Sequence, residues 1–230
     1  MAFYYLLLGH LLGDFVLQTD KIAANKGKYW QWNLLHVSIV TVCMLVSTFI
    51  FGPISFLMVL ANGLLHFLLD YYKPAISKLL RLPELAGFII DQSLHILFLY
   101  LISFMTVTRN PGVTGSIIVK LLIVLVVLTS FSAVFTQFVL AAVFPRTGSG
   151  FFEDGEKFMG ILSRIFITTV FYLSYIISPF YLFLLILVPA AFVIQFKYKW
   201  NKWMSPTHLL VKFLLDALIS TAAILLILSI

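Results

Sequence analysis

Three stretches of this chain set a histidine and an aspartate four residues apart among apolar neighbours: His10-Leu-Leu-Gly-Asp14, His66-Phe-Leu-Leu-Asp70 and, reversed, Asp91-Gln-Ser-Leu-His95. On an α-helix that spacing puts both side chains on one face, one turn apart. Imidazole with carboxylate is a donor set for Zn²⁺, Fe²⁺ or Mn²⁺. It also suits a proton or ion path, and it can tie helices together by hydrogen bonds. His36 adds a fourth imidazole at the start of another apolar run. The expected metal ligands are His10, His36, His66, Asp70 and His95, around a divalent ion, zinc before iron or manganese. Asp14 and Asp91 are the expected general bases, or the carboxylates that orient the histidines, or ligands to a second ion. Together these donors exceed the three or four that one catalytic zinc takes.

The rest of the chain must position these groups. Of its 230 residues 62% are hydrophobic and 10% charged, with a mean hydropathy of +1.07. A soluble domain is about half apolar and a quarter charged, so this is an integral membrane protein. Apolar runs of about 18–25 residues recur along the whole chain, which argues for helices and against a barrel. The runs lie at 2–19, 34–51, 54–72, 86–107, 116–144, 157–177, 180–196 and 208–230. Turn and polar signals separate them: Lys21 to Asn33, Gly52-Pro53, Lys73-Pro74 to Pro83, Arg109 to Gly112, Pro145 to Gly155, Ser178-Pro179 and Lys197 to Pro206. The expected fold is an all-α, polytopic transmembrane helix bundle of about eight spans, or about seven with one re-entrant segment. Residues 1–107 form the half carrying the His/Asp pairs and 108–230 a second helical half. The first run has no basic leader or small-residue cleavage site, so it is read as a retained helix. A lone cysteine, Cys43, leaves no internal disulfide.

Lysine and arginine orient the bundle. They collect in alternate loops: Lys21, Lys26 and Lys28; Lys73, Lys78 and Arg81; Arg146 and Lys157; Lys197, Lys199 and Lys202. By the positive-inside rule these loops are cytoplasmic and both termini lie outside. The formal charge of +6 is then a topology signal directed at anionic lipid. Nucleic acid is not an expected partner; membrane lipids are. Asn25 to Trp32 mixes lysine with Tyr29, Trp30 and Trp32, and Ile76 to Leu85 alternates apolar and basic residues. Both read as interfacial anchors.

In this topology the seven His and Asp side chains fall at one level, just below the cytoplasmic face, on four successive helices. Segment six places Arg164 about two turns inside the membrane, and segment eight opens with His208, Lys212 and Asp216 at four-residue steps. Arg164 either snorkels, pairs with a carboxylate, or joins Lys212 in holding an anionic substrate group. The loop Arg146-Thr-Gly-Ser-Gly150 reads as a flexible connector before an anion cradle. The leading function is a metal-dependent hydrolase acting on a lipid-like or phosphorylated substrate. A secondary transporter or ion conductor is the alternative, and a non-catalytic scaffold a third. No nucleotide motif is present, which excludes a built-in ATPase. Few polar residues continue toward the outer ends of segments one to four, which ranks transport second.

Gly9-His10-Leu11-Leu12-Gly13-Asp14-Phe15 with Leu17-Gln18-Thr19-Asp20, then His36, His66-x3-Asp70 and Asp91-Gln92-x2-His95, resemble a bacterial membrane family, the domain of unknown function 3307. The likeness runs over about residues 3–107, and Gly160-Ile-Leu-Ser-Arg164 resembles a second block of many members. An acidic residue is expected there before the arginine; this chain has Ser163. The resemblance implies a bacterial cytoplasmic membrane and no particular activity. A looser likeness to membrane-bound metal-dependent hydrolases rests on His and Asp at helical spacing near a membrane face, which is analogy.

Overall fold

The computed structural model describes residues 2–51, 56–105, 112–144, 156–186 and 205–228. Among them all regular structure is helical. Gly52-Pro53, Arg109, the glycine loop at 146–150, and residues 187–204, which hold the rest of segment seven and its following loop, lie outside the described residues. The chain divides into two compact units, Met1–Val126 and Val127–Ile230.

In the first unit, α1 (Ala2–Leu11) runs into a π-helical turn at Leu12–Val16. A short α2 (Asp20–Asn25) follows, capped by Thr19, whose hydroxyl accepts from the Ile22 N–H at 3.3 Å. Then come α3 (Trp30–Phe51), α4 (Phe56–Leu79), α5 (Glu84–Phe104) and α6 (Gly112–Val126). Helix α1 packs against α3, α5 and α6, α3 against α4, and α4 against α5. The shortest apolar helix is thus the central one, and Tyr5, Leu6 and Leu8 on it are buried. Leu6, Val40, Met44, Val59, Leu99 and Ile102 form the apolar core of the unit, contributed by α1, α3, α4 and α5.

Two expected boundaries move. Helix α3 begins at Trp30, four residues before its apolar run, and α4 continues through Pro74 to Leu79. Proline lacks the N–H that would bond the carbonyl four residues back, here that of Asp70. The helix tolerates this and ends at Leu79, two residues before Arg81, which has a positive φ of 51°. Ile76 to Leu79 is therefore the last turn of α4 and not a separate interfacial helix.

In the second unit a π-helical turn at Val127–Phe131 leads into α7 (Ser132–Val143). Helix α8 (Glu156–Ile176), a 3₁₀ stretch at Pro179–Ile186 and α9 (Pro206–Leu228) complete it. Helix α8 packs against α9, and both contact α7.

Among the described residues five helical stretches are long and apolar enough to cross a membrane: Trp30–Ile50, Glu84–Phe104, Gly115–Val143, Lys157–Ile176 and Thr207–Leu228. Helix α4 has the length but is diluted by Asn62, His66, Asp70 and Lys73, and Ala2–Val16 is shorter. Large apolar side chains face outward, with Phe49 87% and Leu57 71% exposed, while the histidines and aspartates of the three pairs are buried. Water would favour the opposite arrangement; a bilayer requires this one.

Candidate metal centre

Close backbone packing brings the polar groups together. A Cβ on Gly9 would lie 2.4 Å from the Met44 Cα, and one on Gly13 would lie 2.6 Å from the Val40 Cα. Two glycines four residues apart thus let α1 approach the backbone of α3, as small residues do between membrane helices. The contact is pinned by Ser47, whose hydroxyl donates to the Tyr5 carbonyl at 2.8 Å. Asn33 ties α3 to α4 by donating to the Phe67 carbonyl at 3.1 Å. Asp14 lies in the π turn, so its pair with His10 spans a change of helix type; their closest atoms are 3.8 Å apart. The pairs on regular α-helix, His66/Asp70 and Asp91/His95, meet at 3.5 Å each.

All seven side chains converge. His36 Nε2 is 3.3 Å from Asp14 Oδ1, 3.4 Å from Asp70 Oδ2 and 3.2 Å from His66 Nε2. His66 Nε2 is 3.5 Å from the same two carboxylate oxygens. His95 Nε2 is 3.5 Å from Asp70 Oδ1 and from Asp91 Oδ1. The rings pack on one another: His66 stacks on His95 at 4.1 Å, and His10 lies 5.3 Å from each of them. That ring packing orients the imidazoles, since the Nδ1 atoms of His10, His36 and His66 have no hydrogen-bond partner among the described residues.

Among the described residues three groups satisfy the proximity a metal needs: His10/Asp14/His66, His36/His66/Asp70 and Asp70/Asp91/His95. With bonds of 2.0–2.1 Å to N and O ligands, a tetrahedral ion holds its ligand atoms about 3.3–3.4 Å apart. The His36/His66/Asp70 triangle has sides of 3.2, 3.4 and 3.5 Å. Among the described residues His10 Nε2 is buried without a hydrogen-bond partner, while His95 Nε2, Asp14 Oδ1 and Asp70 Oδ1 meet their neighbours only at 3.3–3.5 Å, long for hydrogen bonds. Donor type, spacing and spare valence therefore fit a divalent ion.

Three participants do not follow from the pair spacing. Lys26, read from sequence as a topology charge, puts Nζ 3.0 Å from Asp70 Oδ2 and 3.0 Å from His36 Nε2. Burial works against its charge, but the Asp70 carboxylate, with Asp14 behind it, holds its pKa above the usual lysine value. Lys73 pairs with Asp91 at 2.7 Å. Gln92 donates to Asp91 at 3.2 Å and Asp14 at 3.4 Å. For Lys73 the available signal was its place three residues after the buried Asp70; no local signal pointed to Lys26.

Arg164 and Lys212 belong to the second unit, where neither points to water. Arg164 is buried; its Nη1 donates to Asp216 at 2.6 Å and its Nε to the Leu128 carbonyl at 2.7 Å. Lys212 donates to Asp216 at 3.3 Å. The π turn supplies Leu128 and Thr129 carbonyls that would otherwise be engaged within the helix. His208, which opens the polar stripe, stacks on Phe144 at 3.8 Å.

Neither the curated proteins nor the solved structures include a match to this chain. A family model does match residues 2–116, the interval that carries every one of the seven convergent side chains. The chain accordingly belongs to the family described as protein of unknown function (DUF3307).

Proposed function

We propose that the seven-residue cluster holds a divalent metal ion at the cytoplasmic side of a bacterial inner membrane. We further propose that the protein is a metal-dependent hydrolase acting on a lipid-like or phosphorylated substrate. The observation that carries this reading is the convergence of four imidazoles and three carboxylates at 3.2–3.8 Å with hydrogen-bonding capacity left over. Structural ties between helices would be expected to saturate their donors and acceptors.

His36, His66 and Asp70 would hold the ion, with His10 and Asp14 adjoining on one side and His95 on the other. When bound, such an ion supplies an activated water and polarises a carbonyl or phosphoryl oxygen. Asp91 would serve as proton acceptor or as ligand to a second ion: Lys73 and Gln92 hold its Oδ2, while its Oδ1 faces His95. Three carboxylates against Lys26 and Lys73 leave one net negative charge, which favours binding of a divalent cation.

The buried layer one turn beyond the cluster favours a closed site over a conduit. Leu6, Val40 and Leu99 sit four residues from His10, His36 and His95 and are fully packed. Asn62, four residues before His66, is the polar exception.

Elemental analysis of purified protein tests the reading, wild type against His66→Ala and Asp70→Ala. Stoichiometric zinc, iron or manganese is expected in the wild type, lost in both variants. A metal-free wild type prepared without chelator would refute it.

A further inference from the structure

The two oxygens of Asp70 face different ways. Oδ2 lies 3.4 Å from His36 Nε2 and 3.5 Å from His66 Nε2, which Asp14 Oδ1 joins at 3.3 and 3.5 Å. Oδ1 lies 3.5 Å from His95 Nε2, which is itself 3.5 Å from Asp91 Oδ1. Each side thus has the sides of a coordination polyhedron, and the only shared group among these is the Asp70 carboxylate. Two metal positions joined by one carboxylate is the arrangement of two-ion hydrolytic centres, whose ions stand about 3.5–4 Å apart.

We infer that the centre is binuclear, with Asp70 bridging one ion held by His36, His66 and Asp14 to a second held by His95 and Asp91. The inference rests on the metal-centre reading and adds ion number and bridge to it. It explains why, among the described residues, Asp70 is the carboxylate whose two oxygens each approach imidazole nitrogen within 3.5 Å. It also explains the donor surplus, which one ion leaves unused.

The test is Mn²⁺ titration of the full-length protein, stripped of metal in detergent, followed by electron paramagnetic resonance. Two Mn²⁺ per chain are expected, with a spin-coupled signal from the bound pair. Asp91→Asn, which touches only the second position, is expected to bind one ion with no coupling, and His36→Ala likewise one. Asp70→Asn is expected to weaken both sites by about tenfold or more. The coupled wild-type signal needs no variant, so a misfolded mutant leaves the test intact. Saturation of wild type at one uncoupled Mn²⁺ would overturn the bridge while leaving a single-ion centre standing. Absence of any binding would remove the centre itself.

Discussion

Lys26 holds its ammonium 3.0 Å from both His36 Nε2 and Asp70 Oδ2, on an edge that a divalent ion would also use. An ammonium and a metal ion cannot share that edge, so loading requires the side chain to withdraw. It can do so because it comes from the connection between α2 and α3 and remains partly exposed at 17%. Removing one partner of a buried ion pair typically costs about 3–5 kcal/mol. Lys26→Met should accordingly lower the melting temperature of the metal-free protein. It should also raise Zn²⁺ or Mn²⁺ affinity by roughly tenfold or more, about 1.4 kcal/mol per decade. Competition titration against a calibrated chelator measures this, and weaker binding in Lys26→Met would show that the lysine assists the ion instead of displacing it.

Among the elements, the α1–α3 seam decides whether the cluster exists. His10 and Asp14 come from α1 and its π turn, His36 from α3, and the seam is as narrow as Gly9 and Gly13 permit. A methyl group on Gly9 would strike the backbone of Met44, which no side-chain rotation relieves. Gly9→Ala should therefore cost about 1–3 kcal/mol, as overpacking does, and reduce metal content by moving Asp14 from His36. Gly87→Ala is the matched control: its Cβ would meet only the Ser77 hydroxyl, at an ordinary 3.5 Å. Thermal melts and metal content of the two variants should separate cleanly; equal behaviour would mean that the seam yields without disturbing the site.

At the scale of the molecule, the distribution of polarity is what matters. The carboxylates and imidazoles of the cluster and Arg164 are inside, and Phe49, Leu57 and Phe104 are outside. The basic loops set the expected orientation, and Lys28 and Lys78, two and five residues beyond Lys26 and Lys73, are exposed. Cysteines placed at these two positions, in a chain with Cys43→Ser, should react with impermeant maleimide only from the cytoplasmic side of inverted vesicles. Labelling from the opposite side would invert the topology and move the centre to the outer leaflet.

Composition and four-residue spacing were enough to specify a membrane helix bundle and to name all seven members of the cluster, because apolar length and helical periodicity are local properties. The family match over residues 2–116 agrees with the residues that carried the resemblance. Local rules could not show that Lys26 and Lys73 fold back onto Asp70 and Asp91, that Asp14 sits in a π turn, or that Pro74 lies inside a helix. Nor could they show that Arg164 is claimed by Asp216, fifty-two residues away. Those outcomes depend on which backbone comes within reach of which charge, and only the packed arrangement of helices determines that.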